Sequence, residues 1–157
     1  MVIKELKPNI FHTVMLFSNG RTIQQEKIRE EIRELAEALV IGDREHIVEE
    51  LADVEIVIPY ITKMFMPSDK FKIQDVPGID FEYRDISEVV VALIDFRIKY
   101  GDLKITRNLL RQATFLLTAS LHFIYVKYKI EREEVEAWKE EKYRRCLKNV
   151  AKKIIGG

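Results

Sequence analysis

Two pairs of acidic residues have the spacing needed to bind a metal ion together. Glu31 is three positions before Glu34, and Glu50 is three positions before Asp53. Side chains three apart are neighbours on a helix surface, so the two carboxylates of each pair can reach one point. A single pair of this kind is more often part of a solvated helix face. Two pairs in succession indicate a site that holds a cation.

Apolar residues around each pair predict two helices that each bury one face. The acidic pairs fall at the flanks of these stripes, where unpaired charge is costly to desolvate. If the helices pack antiparallel, the four carboxylates converge and repel one another unless a cation lies between them. Carboxylate oxygens suit a hard divalent ion, so we predict Mg²⁺, with Mn²⁺ able to substitute. The two stripes are Ile28, Ile32, Leu35 and Leu39, then Ile47, Leu51, Val54, Ile58 and Ile61.

The remaining pattern predicts an all-α antiparallel helical bundle. Proline and glycine are scarce, with 4 and 6 residues, and apolar residues recur every three or four positions. We expect Thr22 to be one helix N-cap, Asp85 or Ser87 to be another, and Pro59 to kink its helix. Residues 71–73 could be a short extended piece. The predicted helices span about 9–17, 22–41, 44–65, 85–99, 103–128 and 131–153.

The composition is that of a soluble globular protein and excludes several kinds of site. Apolar residues make up 47% of the chain, and the 26 basic residues balance the 26 acidic ones. The zero net charge provides no overall basic field for nucleic acid. The single cysteine, Cys146, rules out an intrachain disulfide and a cysteine metal cluster. We find no signal peptide and no uninterrupted membrane-spanning run, so we expect one cytoplasmic domain over residues 1–157, with no membrane partner.

The acidic motifs resemble the signature of the all-α nucleoside triphosphate pyrophosphatases, the MazG-like group. That signature is Glu-x-x-Glu followed on the next helix by Glu-x-x-Asp, and the chain has it at 31–34 and 50–53. The family also carries a basic motif on a later helix, close to Lys-x-x-Lys-Asn-x-Arg. The matching residues are Lys139, Lys142, Tyr143 and Arg145, with the tyrosine in place of the asparagine.

The resemblance implies hydrolysis of a nucleoside or deoxynucleoside triphosphate to the monophosphate and pyrophosphate. It implies that the four acidic residues bind Mg²⁺ and that Glu34 or Glu50 accepts the proton of the attacking water. The three basic side chains, at 139, 142 and 145, would bind the phosphates, and the chain would form a homo-oligomer, either a dimer or a tetramer. Candidates for stacking on the base are Phe17, Trp138 and Tyr143.

Residues 66–129 separate the acidic motifs from the basic motif, and we predict that they form an inserted helical hairpin. In compact members of the family the basic helix follows the second acidic helix almost at once. The inserted hairpin turns at Gly101-Asp102, much as the first hairpin turns at Gly42-Asp43. This similarity suggests a degenerate second copy that has lost its acidic residues.

Two alternatives stay open at this point. One is a related enzyme with the same metal chemistry and another specificity, such as phosphoribosyl-ATP pyrophosphohydrolase or a helical dUTP or dCTP pyrophosphatase. The other is a non-catalytic helical oligomer or adaptor that has kept the scaffold. The four acids argue against an adaptor, because nothing structural requires them beside an apolar stripe. A di-iron carboxylate bundle needs Glu-x-x-His pairs, which the sequence lacks.

Overall fold

The computed structural model describes residues 21–65 and 82–155, which form five α-helices. Neither of these ranges contains a strand, and the predicted all-α class is confirmed. The predicted helix at 9–17, the extended piece at 71–73 and the side chain of Cys146 lie outside the described residues. The helices are α1 (Arg21–Ile41), α2 (Arg44–Phe65), α3 (Tyr83–Tyr100), α4 (Lys104–Lys127) and α5 (Arg132–Ile155).

Four helices pack as two hairpins, and the fifth covers one of them. α1 packs against α2 and α3, α4 packs against α3 and α2, and α5 packs against α2. The central position of α2 explains why every residue from Glu50 to Ile58 is buried. The hairpin of α3 and α4 falls within the predicted insertion, whose status as an insertion or as a degenerate repeat stays a prediction.

The apolar stripes predicted for the first two helices form the centre of the core. Every residue of the α2 stripe is buried, and so are Ile28, Ile32 and Leu35 of α1. Leu39, the last member of the α1 stripe, is half-buried and packs against the core from its edge. The two acidic pairs therefore lie on helices whose orientation is fixed by apolar burial.

The turn between α1 and α2 lies at the predicted position, Gly42-Asp43. Gly42 has φ of +82°, a left-handed conformation that glycine adopts without steric cost, and its N–H donates to the carbonyl of Ala38 at 2.9 Å. The N–H of Ile47 donates to the carbonyl of Asp43 at 2.9 Å, so α2 begins directly after Asp43. This tight connection holds the two acidic motifs at a fixed distance from each other.

Two predicted helix N-caps are wrong. Thr22 is inside α1, because the helix already includes Arg21. α3 begins at Tyr83 after Glu82, so neither Asp85 nor Ser87 is its N-cap. The early start of α3 follows from tertiary packing: Tyr83 is buried, and its hydroxyl donates to the carbonyl of Ile32 at 2.9 Å.

Candidate metal centre

The α1–α2 hairpin brings the two acidic pairs together. Glu31 and Glu34 lie on α1, and Glu50 and Asp53 lie on α2. One carboxylate oxygen from each of the four residues lies within 4.8 Å of the other three. The structure thus gathers the four acids that the sequence singled out, and their role as metal ligands stays a prediction.

Three members of this cluster are removed from solvent. Glu31 is 2% exposed, Glu50 is 7% exposed and Asp53 is 9% exposed, whereas Glu34 is half-buried. Buried carboxylates are strongly unfavourable unless cations or hydrogen-bond donors compensate them. Glu34 forms the side of the cluster that is open to solvent.

Two lysine side chains compensate one side of the cluster. The Nζ of Lys142, on α5, donates to Oδ1 of Asp53 and lies 3.8 Å from Oε1 of Glu31. The Nζ of Lys27, one turn before Glu31 on α1, lies 3.0 Å from the same oxygen. Both cations therefore approach the Glu31–Asp53 side, and two lysines do not balance four acids.

Oxygen atoms suited to a metal ion remain on the cluster. Among the described residues, Oε2 of Glu31 and Oε2 of Glu50 are buried and have no hydrogen-bond partner. The imidazole Nδ1 of His46 lies 3.9 Å from the other oxygen of Glu50, beyond hydrogen-bond distance. Buried carboxylate oxygens without donors are what a hard divalent cation would satisfy, so the residues present fit such an ion.

The pKa values of the four carboxyl groups differ, because burial, the neighbouring acids and the lysines act on each group to a different extent. Burial, followed by the charges of Asp53 and Glu34, raises the pKa of Glu50 to about 8. Burial also raises the pKa of Asp53 to about 7, although Lys142 opposes it. Burial raises the pKa of Glu34 as well. At Glu31 burial acts in the same direction, but the nearby lysines outweigh it and the pKa is lowered.

The residues of the predicted phosphate motif separate in the structure. Lys142 reaches the carboxylate cluster, as described above. Lys139 instead donates to Oε1 of Glu55 at 2.6 Å. Arg145 is exposed, and its Nε lies 3.4 Å from Oε1 of Glu141. The structure does not bring Lys139 or Arg145 to the acidic cluster, and phosphate binding by these residues stays a prediction.

The candidates for base stacking have other surroundings. Trp138 and Tyr143 are half-buried and pack against the core, so their rings contribute to the α5 interface. Phe17 lies outside the described residues. Nothing in these contacts selects one ring for a nucleotide base.

A fourth buried acid, Glu55, lies outside the cluster and connects three helices. The side chain of Glu55 is 0% exposed. Its Oε1 accepts from Arg132 at 2.5 Å and from Lys139, and its Oε2 accepts from the hydroxyl of Tyr125. This network joins α2 to the end of α4 and to α5, which holds Lys142 over the cluster. A charged residue inside the apolar run Val54–Ile58 was the sequence signal that could have revealed it.

An ion pair between Arg44 and Glu134 fixes the start of α5. The guanidinium of Arg44 makes two hydrogen bonds of 2.7 Å to the carboxylate of Glu134 and donates to the carbonyls of Tyr128 and Lys129. The N–H of Glu131 donates to Glu134 at 2.8 Å, as in a capping box. These bonds from Arg44 lower the pKa of Glu134 to about 2. The first residue of α2 thereby sets the position of α5.

The described residues form an all-α bundle with a four-carboxylate candidate centre for a divalent metal. Residues 3–67, which contain both acidic motifs, match the family model of phosphoribosyl-ATP pyrophosphohydrolase, a member of the all-α MazG-like superfamily. The match spans less than half of the 157-residue chain, and it confirms the resemblance that the acidic motifs indicated. It supports pyrophosphohydrolase activity on a nucleotide phosphoanhydride. No curated protein and no solved structure matches the chain.

Proposed function

We propose that this protein is a Mg²⁺-dependent nucleoside triphosphate pyrophosphohydrolase, which converts a (d)NTP to the (d)NMP and pyrophosphate. The observation that carries the proposal is the cluster of four carboxylates, on the segment that matches a pyrophosphohydrolase family. The unpartnered oxygens of Glu31 and Glu50 support cation binding there. An adaptor without activity would gain nothing from burying these charges.

Glu31, Glu34, Glu50 and Asp53 would hold the metal ion, and Mn²⁺ would substitute for Mg²⁺. When bound, the ion supplies charge neutralisation for the triphosphate and activation of a water molecule. The protein's own contribution is to hold four oxygens in place through the packed stripes of α1 and α2. Without this neutralisation, a triphosphate would be repelled by the cluster.

The hydrolytic step needs a group that accepts a proton. The oxygen of water forms a bond to phosphorus, the α–β anhydride bond breaks, and pyrophosphate leaves with the bonding electrons. Glu34 is the cluster member most open to solvent and is our first choice as the proton acceptor, with Glu50 as the second. Glu34 and Glu50 are also candidate metal ligands. One carboxylate oxygen of the proton acceptor would therefore bind the metal, and the other would face the attacking water.

Lys142 is the basic residue best placed to contact the phosphates. Its ammonium group already lies at the cluster, where it pairs with Asp53. A bound cation would compete with it for the same carboxylate, and the released ammonium would then face an anionic substrate. Lys139 and Arg145 would assist only if they leave Glu55 and Glu141.

A second candidate substrate is phosphoribosyl-ATP, because the matching family model carries that name. It is a substituted adenosine triphosphate, and cleavage of the same anhydride would release pyrophosphate. We further propose that the protein acts in the cytoplasm as a homo-oligomer, without nucleic acid or membrane as a partner.

Pyrophosphate release from a panel of substrates tests the function. The panel contains the common ribo- and deoxyribonucleoside triphosphates and phosphoribosyl-ATP, each with and without Mg²⁺. We expect Mg²⁺-dependent release from at least one of them, which Glu34→Gln abolishes. Glu37→Gln, an exposed acid one turn along α1, is the matched control and should retain activity. Absence of release from every substrate, together with no thermal stabilisation by Mg²⁺ or Mn²⁺, would favour the adaptor.

A further inference from the structure

Helix α4 has a second apolar stripe beside its buried one. The stripe positions alternate in steps of four and three over three heptads, which is the pattern of a helix that packs against another helix. None of the seven positions is charged. They are Ile105, Leu109, Gln112, Leu116, Ala119, Phe123 and Val126.

Much of this stripe faces solvent in the described part of the chain. Ile105 is 68% exposed and Val126 is 76% exposed, at the two ends of α4. Ala119, near the middle, is buried, and Leu116 is half-buried. The folded chain, as far as residues 21–65 and 82–155 describe it, buries one side of α4 and leaves most of this second stripe open.

Helix α3 adds apolar side chains on its own outward side. The rings of Phe96 and Tyr100 contact each other, with centroids 4.5 Å apart, and both are exposed. Tyr100 ends α3 just before the turn that leads to Ile105. We name the combined surface the outer apolar face, defined as Val89, Phe96, Tyr100, Ile105, Leu109, Phe115, Phe123 and Val126.

The outer apolar face has the size of a protein interface. Its eight side chains are each between 38% and 76% exposed. Summed over α3 and α4, the eight residues present on the order of 800 Å² of accessible surface, and one partner of a standard-size interface contributes a similar area.

The surroundings of the face favour a second copy of this chain over a lipid bilayer. Helix α4 meets the length and composition of a membrane span, with a mean hydropathy of 1.2, but half of that window is buried in the bundle. The exposed acids Asp85 and Glu88 border the face on α3, and the exposed Lys99 and Lys104 border it near the turn. In a two-fold symmetric dimer, the acids of one chain can pair with the lysines of the other. The uncharged heptad stripe of one chain can pack against the same stripe of its partner.

We propose that the outer apolar face is a self-association surface, on which the α3–α4 hairpin of one chain packs against the α3–α4 hairpin of a second copy. The interface then contains four helices from two chains. The proposal rests on the homo-oligomer proposed above, and the carboxylate cluster lies on the other hairpin, so failure of self-association and failure of catalysis are distinguishable. It identifies which surface two copies would share.

Sedimentation velocity on the full chain tests the proposal. We compare the wild type with the double variant Ile105→Glu and Val126→Glu, which places four like charges in the proposed interface while altering two largely exposed positions. The matched control is Ile41→Glu at the end of α1, where the side chain is 72% exposed and outside the face. Circular dichroism checks that all three proteins fold, and thermal shift with Mn²⁺ follows the metal centre separately.

We expect the wild type and the control to sediment as a dimer or larger at micromolar concentration. The double variant should have at least about a hundredfold higher dissociation constant and should sediment at half the mass or less. A monomeric wild type, or a folded double variant of unchanged mass, would overturn the proposal. Binding of monomeric wild type to phosphatidylglycerol–phosphatidylcholine vesicles, lost in the double variant, would assign the face to a membrane surface instead.

Discussion

The most informative perturbation is Glu50→Gln, because the structure predicts opposite effects on stability and on metal binding. The substitution keeps the size of a side chain that is 10% exposed and removes one of four clustered carboxyl groups. Burial and the neighbouring acids raise the pKa of Glu50 from 4.5 to about 8. Folding of the metal-free protein therefore takes up a proton between these two pH values, and the free energy of unfolding falls as pH rises through this window.

The size of this effect follows from the pKa. A carboxyl group whose pKa moves from 4.5 to about 8 destabilises the folded state by at most about 5 kcal/mol above pH 8, at about 1.4 kcal/mol for each pH unit. The cluster opens to solvent at Glu34 and shares its charge among four acids, so we expect about 2 kcal/mol. Glu50→Gln should raise the melting temperature of the metal-free protein at pH 8 by about 4–8 °C.

The assay is thermal unfolding from pH 5 to pH 9 in the presence of a chelator and then with Mg²⁺. Without metal, the wild type should lose stability with rising pH, and the Glu50→Gln variant should show a flatter dependence. With Mg²⁺, the wild type should gain stability at pH 8 and the variant should gain little. Glu49→Gln, which removes the adjacent carboxylate outside the cluster, should behave like the wild type. If the variant is less stable than the wild type at pH 8 without metal, the charge of Glu50 does not destabilise the metal-free fold.

Three further substitutions test other parts of the molecule. Lys142→Met removes the cation that competes with metal at Asp53, so calorimetry should show about tenfold tighter Mn²⁺ binding. Steady-state kinetics should show a higher KM for the substrate. Weaker Mn²⁺ binding would contradict the competition between Lys142 and the metal. Glu55→Gln breaks a buried charge network and should lower the free energy of unfolding in urea by about 3 kcal/mol, and a change below about 1 kcal/mol would count against its structural role. Tyr83→Phe removes the hydrogen bond to Ile32 and should lower the free energy of unfolding by about 1 kcal/mol in the same assay. An unchanged free energy of unfolding would contradict a stabilising role for this hydrogen bond.

The helical bundle was predictable because apolar spacing records which face of each helix is buried. Ile32 and Leu51 are fully buried where the pattern placed them, and Gly42 ends α1 with the backbone conformation that its residue type favours. The helix starts were less predictable. Tyr83 extends α3 through a contact with α1, and no local pattern of residues 82–87 encodes that contact.

The acidic cluster was predictable as a set, because both pairs flank stripes on consecutive helices. The basic residues were not, since their spacing on α5 does not determine which acid each one meets. Lys139 and Lys142 are three positions apart, yet one pairs with Glu55 and the other with Asp53. Which acid each lysine contacts depends on how α5 lies across α2. Long-range contacts such as the ion pair of Arg44 with Glu134 set this orientation.

We propose that at least one divalent cation lies among the four carboxylates and is needed for cleavage of a nucleotide. Anomalous diffraction from a crystal soaked with Mn²⁺ and a non-hydrolysable triphosphate is the decisive experiment. We expect an anomalous peak at metal–oxygen bonding distance from carboxylates of Glu31, Glu34, Glu50 and Asp53, with phosphate oxygens on the side of the ion that is open to solvent. A peak elsewhere on the bundle, or a triphosphate bound away from these residues, would contradict it.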